Sequence, residues 1–213
     1  YRRAGVPLVW WVDRRQQTVA VYRGGGFAVE LVINDVLDLS RIESGKMAIR
    51  LGQVEIPSLI QGILAGMHPL FEKKSLFVQF HQPETFPVIQ SDAEKIKQIT
   101  INFLSNAVKF TKKGGVIISA RDVPGGGGIE FSIQDTGIGI KPGELPKIFD
   151  AFHQVDVSAS REFGGVGLGL AIVKKLIDLL QGEVRVESEY GKGSTFTIFL
   201  PYRLERVKES NLS

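Results

Sequence analysis

The chain has 213 residues, 43% of them hydrophobic and 23% charged, with a net charge of +3. That balance supports one sizeable core and a small second unit, and a positive excess this mild and scattered leads us to expect no nucleic-acid partner. Cysteine is absent, which excludes disulfides, thiolate metal sites and a Cys nucleophile, and no signal peptide or bilayer-length apolar run is visible.

A cytoplasmic location is therefore expected. The chain starts at Tyr1 rather than Met and reads as a fragment or a processed form, a reading open to both a membrane-attached and an unattached full-length protein.

In chain order, residues 1–26 read as a β-hairpin. Positions 8–12 are apolar, 13–17 are polar and turn-like, 18–22 alternate, and Gly24, Gly25 and Gly26 follow. Trp10 and Trp11, the two tryptophans, serve burial in that strand pair. Residues 28–46 read as a helix, with Val32, Val36, Leu39 and Ile42 near heptad spacing and Ser44 and Gly45 closing it. Strands are expected at 48–54 and 77–81, around a helix at 56–71. Ser91 with Glu94 three residues later fits a capping box for the next helix, and Asp92 adds negative charge to its first turn. Residues 116–121 and 129–134 form a hairpin across Pro124 to Gly128. A short helical piece at 144–149, a helix at 171–180 and strands at 182–187 and 195–200 complete the unit. From Arg203 onward no periodic pattern remains, and residues 204–213 are expected to fray.

The helix after Asp92 carries NFLSNAVKFT, residues 102–111. Asn102, Asn106 and Lys109 fall at i, i+4 and i+7 on one face, and Lys95 and Gln98 extend the stripe. Ile96, Ile99, Phe103, Leu104, Ala107 and Val108 cover the rest and are expected in the core. Amides offer neutral oxygens to a hard cation, and Lys is a point charge suited to phosphate. The plain alternative is a buried helix with a solvated polar edge. Three glycine-rich stretches follow: DTGIGI at 135–140, GGVGLGL at 164–170 and GKGSTF at 191–196. One such cluster alone marks a turn; all four stretches in this order and spacing are specific.

On these stretches the chain resembles, over residues 28–203, the catalytic ATP-binding domain of sensor histidine kinases, in the superfamily shared with gyrase, MutL and a heat-shock chaperone. The four stretches look like that family's N, G1, G2 and G3 boxes, and FDAF at 149–152 looks like its F box. The resemblance implies an α+β, two-layer α/β sandwich of the Bergerat type, with a mixed sheet and helices on one face, preceded by a helix and a short N-terminal β-hairpin. The implied domains are 48–203 for ATP binding and 27–47 for a remnant of a dimerisation helix, since LDLSRIESGKM at 37–47 is similar to the end of that helix. A homodimer through residues 28–46 is one reading of this segment; an amphipathic helix folding back on its own domain is the other. Residues 1–26 resemble the tail of a bacterial restriction-endonuclease-like family. The acidic and Lys residues that such a nuclease needs are missing here, so no nuclease activity carries over.

The resemblance also implies roles. ATP and Mg²⁺ would be the ligands. Asn106 would ligate Mg²⁺, Asn102 would hold phosphate or a metal-bound water, and Lys109 would reach phosphate. Asp135 would accept the adenine amino group; a carboxylate accepts but does not donate, which favours adenine over guanine at that edge. Its bland reading is a turn-starting Asp. Gly137 and Gly139 would let the backbone pass close to the base. Gly165, Gly167, Leu168 and Gly169 would offer backbone N–H groups to phosphate at a helix start. Val166 stands where the family has Thr or Ser, so a hydroxyl contact is missing there. Thr195 would complete the nucleotide contacts. Arg161, in a lid at 153–163, would meet the γ-phosphate, although a solvated surface Arg fits the position nearly as well; His153 would be a lid residue without a catalytic role.

Asn102 stands where the hydrolysing members of the superfamily carry a Glu base. An amide cannot activate water in that way, so ATP should be bound and hydrolysed slowly. Transfer to a neutral imidazole needs no strong base. No His precedes His68, so the phosphoacceptor helix would belong to another chain, and a response-regulator receiver domain would take the phosphoryl group onward. The first hypothesis is thus the catalytic domain of a two-component sensor kinase. The second is a catalytically silent nucleotide-binding scaffold; a gyrase-type ATPase is disfavoured by Asn102.

Overall fold

In the computed structural model, residues 8–13, 18–23, 27–31, 33–153 and 167–204 are described. The chain divides into two compact units, Tyr1–Met47 with Pro146–Ile172, and Ala48–Leu145 with Val173–Ser213.

The smaller unit opens on an antiparallel three-stranded sheet of β1 (Leu8–Asp13), β2 (Thr18–Arg23) and β3 (Phe27–Leu31), in that order. The hairpin expected from the sequence is β1 with β2. The strand β3 replaces the first turns of the helix expected from residue 28. Val19 lies opposite Leu31 and Val21 opposite Val29, and FAVEL alternates with period two, which suits pairing onto β2 and not a 3.6-residue repeat. The helix α1 therefore starts later, at Ile33–Glu43. It ends as its sequence requires. Gly45 takes φ +66 and donates its N–H to the Ile42 carbonyl, and Lys46 donates to the Arg41 carbonyl, an αL stop open to glycine without Cβ strain.

The larger unit is built on a mixed five-stranded sheet. It contains β5 (Phe77–His81), β7 (Gly115–Val123), β8 (Gly128–Asp135), β9 (Glu183–Glu189) and β10 (Gly193–Pro201). Their order is β5-β7-β8-β10-β9, with β5 parallel to β7 and every other pair antiparallel. A separate two-stranded sheet joins β4 (Gly52–Val54) to β6 (Ile89–Ser91). Three residues carry little periodicity, so neither the start of β4 nor the existence of β6 was legible in advance.

Helices α2 (Ile56–Lys73) and α3 (Ala93–Phe110) belong to this unit, and α4 (Gly169–Leu179) runs into it from Val173. The core lies between helices and sheet. Ile56, Ile60, Ile63, Met67 and Phe71 of α2 are buried at helical spacing, and all six apolar positions expected in the core from α3 are buried. From the three central strands, β7, β8 and β10, come alternate residues: Val116 and Ile118, then Phe131 and Ile133, then Phe196, Ile198 and Leu200. Phe103 of α3 meets Phe196 of β10 with ring centroids 4.8 Å apart, tilted by 33°. The sheet thus buries one face, the antiparallel pattern of inward apolar and outward polar residues. α2 continues through Pro69 to Lys73, beyond the expected end at 71, and His68 is inside it, exposed beside Glu72.

Candidate functional site

α3 supplies the first part of the site. Its N-cap is Asp92, whose carboxylate accepts the backbone N–H groups of Glu94 at 3.0 Å and Lys95 at 3.2 Å, and that of Arg50 at 2.7 Å. The capping box expected at Ser91 does not form. Ser91 is the buried last residue of β6, opposite Gly52, and the carboxylate one residue nearer takes both donors.

The polar stripe falls where the sequence put it. Lys95, Gln98, Asn102, Asn106 and Lys109 are all half-buried, on the seam between the buried residues and exposed Ile101 and Ser105. The Asn106 amide nitrogen donates to the Asn102 amide oxygen at 3.3 Å, so Asn106 keeps its own oxygen for a further donor or a cation. Burial pulls the Lys109 ammonium below its ordinary pKa, and its Nζ lies 5.1 Å from the centre of the Phe110 ring. At the helix end, Lys74 Nζ donates to the carbonyls of Val108 at 2.6 Å and Lys109 at 3.2 Å, a cation on the negative pole of the helix.

β8 supplies the second part. Its last residue, Asp135, shares the buried face with Phe131 and Ile133 and is 9% exposed. Its Oδ1 accepts the Gly137 N–H at 2.8 Å. Burial pushes the Asp135 carboxyl above the usual carboxylate value of 3.8; hydrogen bonds from the Gly137 and Ser194 backbone pull the other way and are outweighed.

The loop after Asp135 rests on the end of α3. Ile138 donates its N–H to the Phe110 carbonyl at 3.3 Å. A Cβ on Gly137 would stand 2.8 Å from that same carbonyl oxygen and 2.7 Å from Asp135 Oδ1, so only glycine passes there. Gly139 has φ +66, and a Cβ on it would stand 2.1 Å from the Glu189 carbonyl. Asn106, one helical turn before Phe110, and Asp135 are thereby brought to one end of the same unit.

β10 gives Ser194 and Thr195 opposite faces. Asp135 lies directly opposite Ser194, and Thr195 lies opposite Gln134. Opposed residues in an antiparallel pair share a face, and neighbours along a strand do not. Ser194 is therefore on the Asp135 face and buried, while Thr195 is half-buried on the other face with exposed Gln134. The residue directly opposite the carboxylate is Ser194; which face each residue of GKGSTF takes depends on register. A cleft of about 340 Å³ opens at Asp135 and the β9–β10 turn, lined by Ser188, Lys192, Gly193, Ser194 and Thr195 among others; the amide stripe of α3 is outside its lining.

In the smaller unit, Gly167 has φ +76, and its carbonyl accepts the Phe152 N–H at 2.9 Å. A Cβ there would stand 2.7 Å from the His153 carbonyl. Leu168 is buried and Gly169 begins α4. Arg161 and Gly165 lie outside the described residues. No described helix is long and apolar enough to cross a membrane.

A mixed sheet covered on one face by helices, with an amide-bearing helix end against a glycine-bounded carboxylate, defines an α+β ATPase domain. The family described as histidine kinase-, DNA gyrase B-, and HSP90-like ATPase matches residues 91–204, and the chain belongs to it. Among its relatives, the autoinducer 2 sensor kinase/phosphatase LuxQ of Vibrio cholerae is 38% identical over 195 residues, which are 90% of this chain and 23% of LuxQ. The circadian input-output histidine kinase CikA of Synechococcus elongatus is 39% identical over 193 residues, 88% of this chain and 25% of CikA. The chain spans about a quarter of the length of these curated relatives. Among solved structures, full-length ShkA in complex with AMPPNP is similar with a TM-score of 0.72 and 36% identity, over 79% of this chain and 35% of that one. The chain therefore carries a histidine-kinase-type ATPase domain homologous to sensor kinases.

Proposed function

We propose that this chain is the catalytic domain of a two-component sensor kinase, which binds ATP with Mg²⁺ and passes the γ-phosphoryl group to a histidine outside these 213 residues. The observation that carries this reading is the seating of the Asp135–Gly139 loop on the end of α3, one turn from the paired amides. The AMPPNP held by ShkA supports it. The sensor-kinase relatives do not favour the silent-scaffold alternative.

In this reading Asp135 accepts the exocyclic amino group of adenine, and Ser194 shares that edge of the base. Asn102 and Lys109 hold phosphate, and the backbone N–H groups of Gly165, Gly167, Leu168 and Gly169 are the others proposed to bind it. Arg161 meets the γ-phosphate. Asn106 supplies an amide oxygen to Mg²⁺, a cation that takes few protein ligands and completes its shell with water and phosphate, where it offsets charge. The donor set fits: Asn106 spends its amide nitrogen on Asn102 and keeps a neutral oxygen of the kind a hard cation takes. With an amide at Asn102, no side chain on the stripe deprotonates water, and a neutral imidazole attacks the γ-phosphorus as the bond to the ADP oxygen breaks.

The partners are the acceptor-histidine helix and a receiver domain. α1 offers exposed Val36 and Leu37 for a homodimer, and the site of action is the cytoplasm. Radiolabelled ATP, offered first to the chain alone and then with a separate dimerisation–histidine fragment, tests the proposal. Label should appear on the added fragment only. ATP binding without label on either polypeptide would favour the scaffold.

A further inference from the structure

Three strands align their polar residues in one row. Asp135 of β8 is opposite Ser194 of β10, and Ser194 is opposite Ser188 of β9. All three therefore face the same side of the sheet. Ser188 is half-buried there and has three polar contacts. Its hydroxyl oxygen accepts the Ile140 N–H at 2.8 Å, lies 2.9 Å from the Gly193 carbonyl, and lies 2.9 Å from Ser194 Oγ.

A hydroxyl has one proton and two lone pairs. The Gly193 carbonyl only accepts, so Ser188 donates to it, and one lone pair receives the Ile140 N–H. The remaining lone pair then receives the Ser194 hydroxyl proton. This assignment satisfies every group, and it orients Ser194 with its own lone pairs turned away from Ser188. The same residue thus anchors the far end of the Asp135–Ile140 loop and sets the hydroxyl next to Asp135. A second tie holds the loop to the same turn, since Gly191 donates its N–H to the Ile138 carbonyl at 2.8 Å.

We propose that Ser188 is a positioning residue for base recognition: through Ile140 and Ser194 it holds the carboxylate and hydroxyl that read the adenine edge, without touching the nucleotide. The proposal rests on the ATP-binding reading above. Its test compares ATP with purine riboside triphosphate, which keeps the phosphates and sugar but lacks the 6-amino group, each titrated with Mg²⁺ into the full 213-residue chain. In the unsubstituted chain ATP binds more tightly than the analogue. Ser188→Ala should lower the preference for ATP by about 3- to 10-fold, the worth of one oriented hydrogen bond, with analogue affinity kept within about twofold. Ser188→Thr, which keeps the hydroxyl on a strand position that tolerates β-branching, should restore the preference.

A purely structural Ser188 would weaken both ligands equally, and that result overturns the proposal, as does an unchanged preference in Ser188→Ala. Hydrogen exchange in the unsubstituted chain tests the same geometry without a variant. The Ile140 amide should be protected, and exchange at the rate of an open loop sinks the assignment. Failure of the unsubstituted chain to bind either triphosphate would instead overturn the nucleotide reading itself, and this inference with it.

Discussion

Replacing Asp135 by Asn separates recognition from stability. The carboxylate is 9% exposed and its pKa is raised by burial above 3.8. A carboxyl whose pKa is raised on folding holds its proton more tightly in the folded chain than in the unfolded one. Its contribution to stability is fully present below the ordinary value and is lost as pH rises through the raised one. At neutral pH the ionised group is therefore a cost to the fold. Asn keeps an oxygen for the Gly137 N–H and removes the charge, so the stability of the nucleotide-free variant should not fall by more than about 0.5 kcal/mol. Binding moves the other way. A hydrogen bond to a charged acceptor contributes about 1.5–3 kcal/mol, roughly 10- to 150-fold in affinity, and Asn turns a donor toward the adenine amino group. Calorimetric titration with ATP and Mg²⁺, beside thermal unfolding of the free variants, measures both. In the unsubstituted chain, ATP affinity should also decline as pH falls through the raised pKa, because the proton and the amino group compete for the same oxygens. Affinity within twofold of the original, or a joint fall of affinity and stability, would refute this account.

Ser194→Ala should weaken ATP binding by about 3- to 10-fold while Thr195→Ala leaves it unchanged, read by the same titration. Phe103→Ala removes a fully buried ring stacked on Phe196 and should cost about 3–5 kcal/mol in urea unfolding; a cost under about 1 kcal/mol would deny the α3–β10 packing. Gly139→Ala forces a Cβ into the Glu189 carbonyl at positive φ and should destabilise by at least about 1–3 kcal/mol, with increased amide exchange at Ile138 and Ile140. Asn106→Ala should abolish the dependence of ATP affinity on Mg²⁺, compared by titration with and without the ion.

What was legible in the sequence is what depends on short-range periodicity. The α3 stripe from Lys95 to Lys109 and the buried positions behind it follow from 3.6 residues per turn, which neighbours in sequence enforce through the helix's own hydrogen bonds. Asp135 and its loop glycines were legible for the same reason, since a tight passage demands glycine in a local pattern. The strand β3 was decided by pairing to β2, the cap at Asp92 by the β4–β6 pairing that takes up Ser91, and the faces of Ser194 and Thr195 by the pairing of β10 with β8. Pairing to β2 took the alternating residues 27–31 into a strand, and the register of β10 on β8 assigned each residue its face. Ser188 is the sharpest case. Nothing in VESEYGKGS distinguishes it, because its role exists only where three strands align Asp135, Ser194 and Ser188 in one row, and strand register is a property of the assembled sheet.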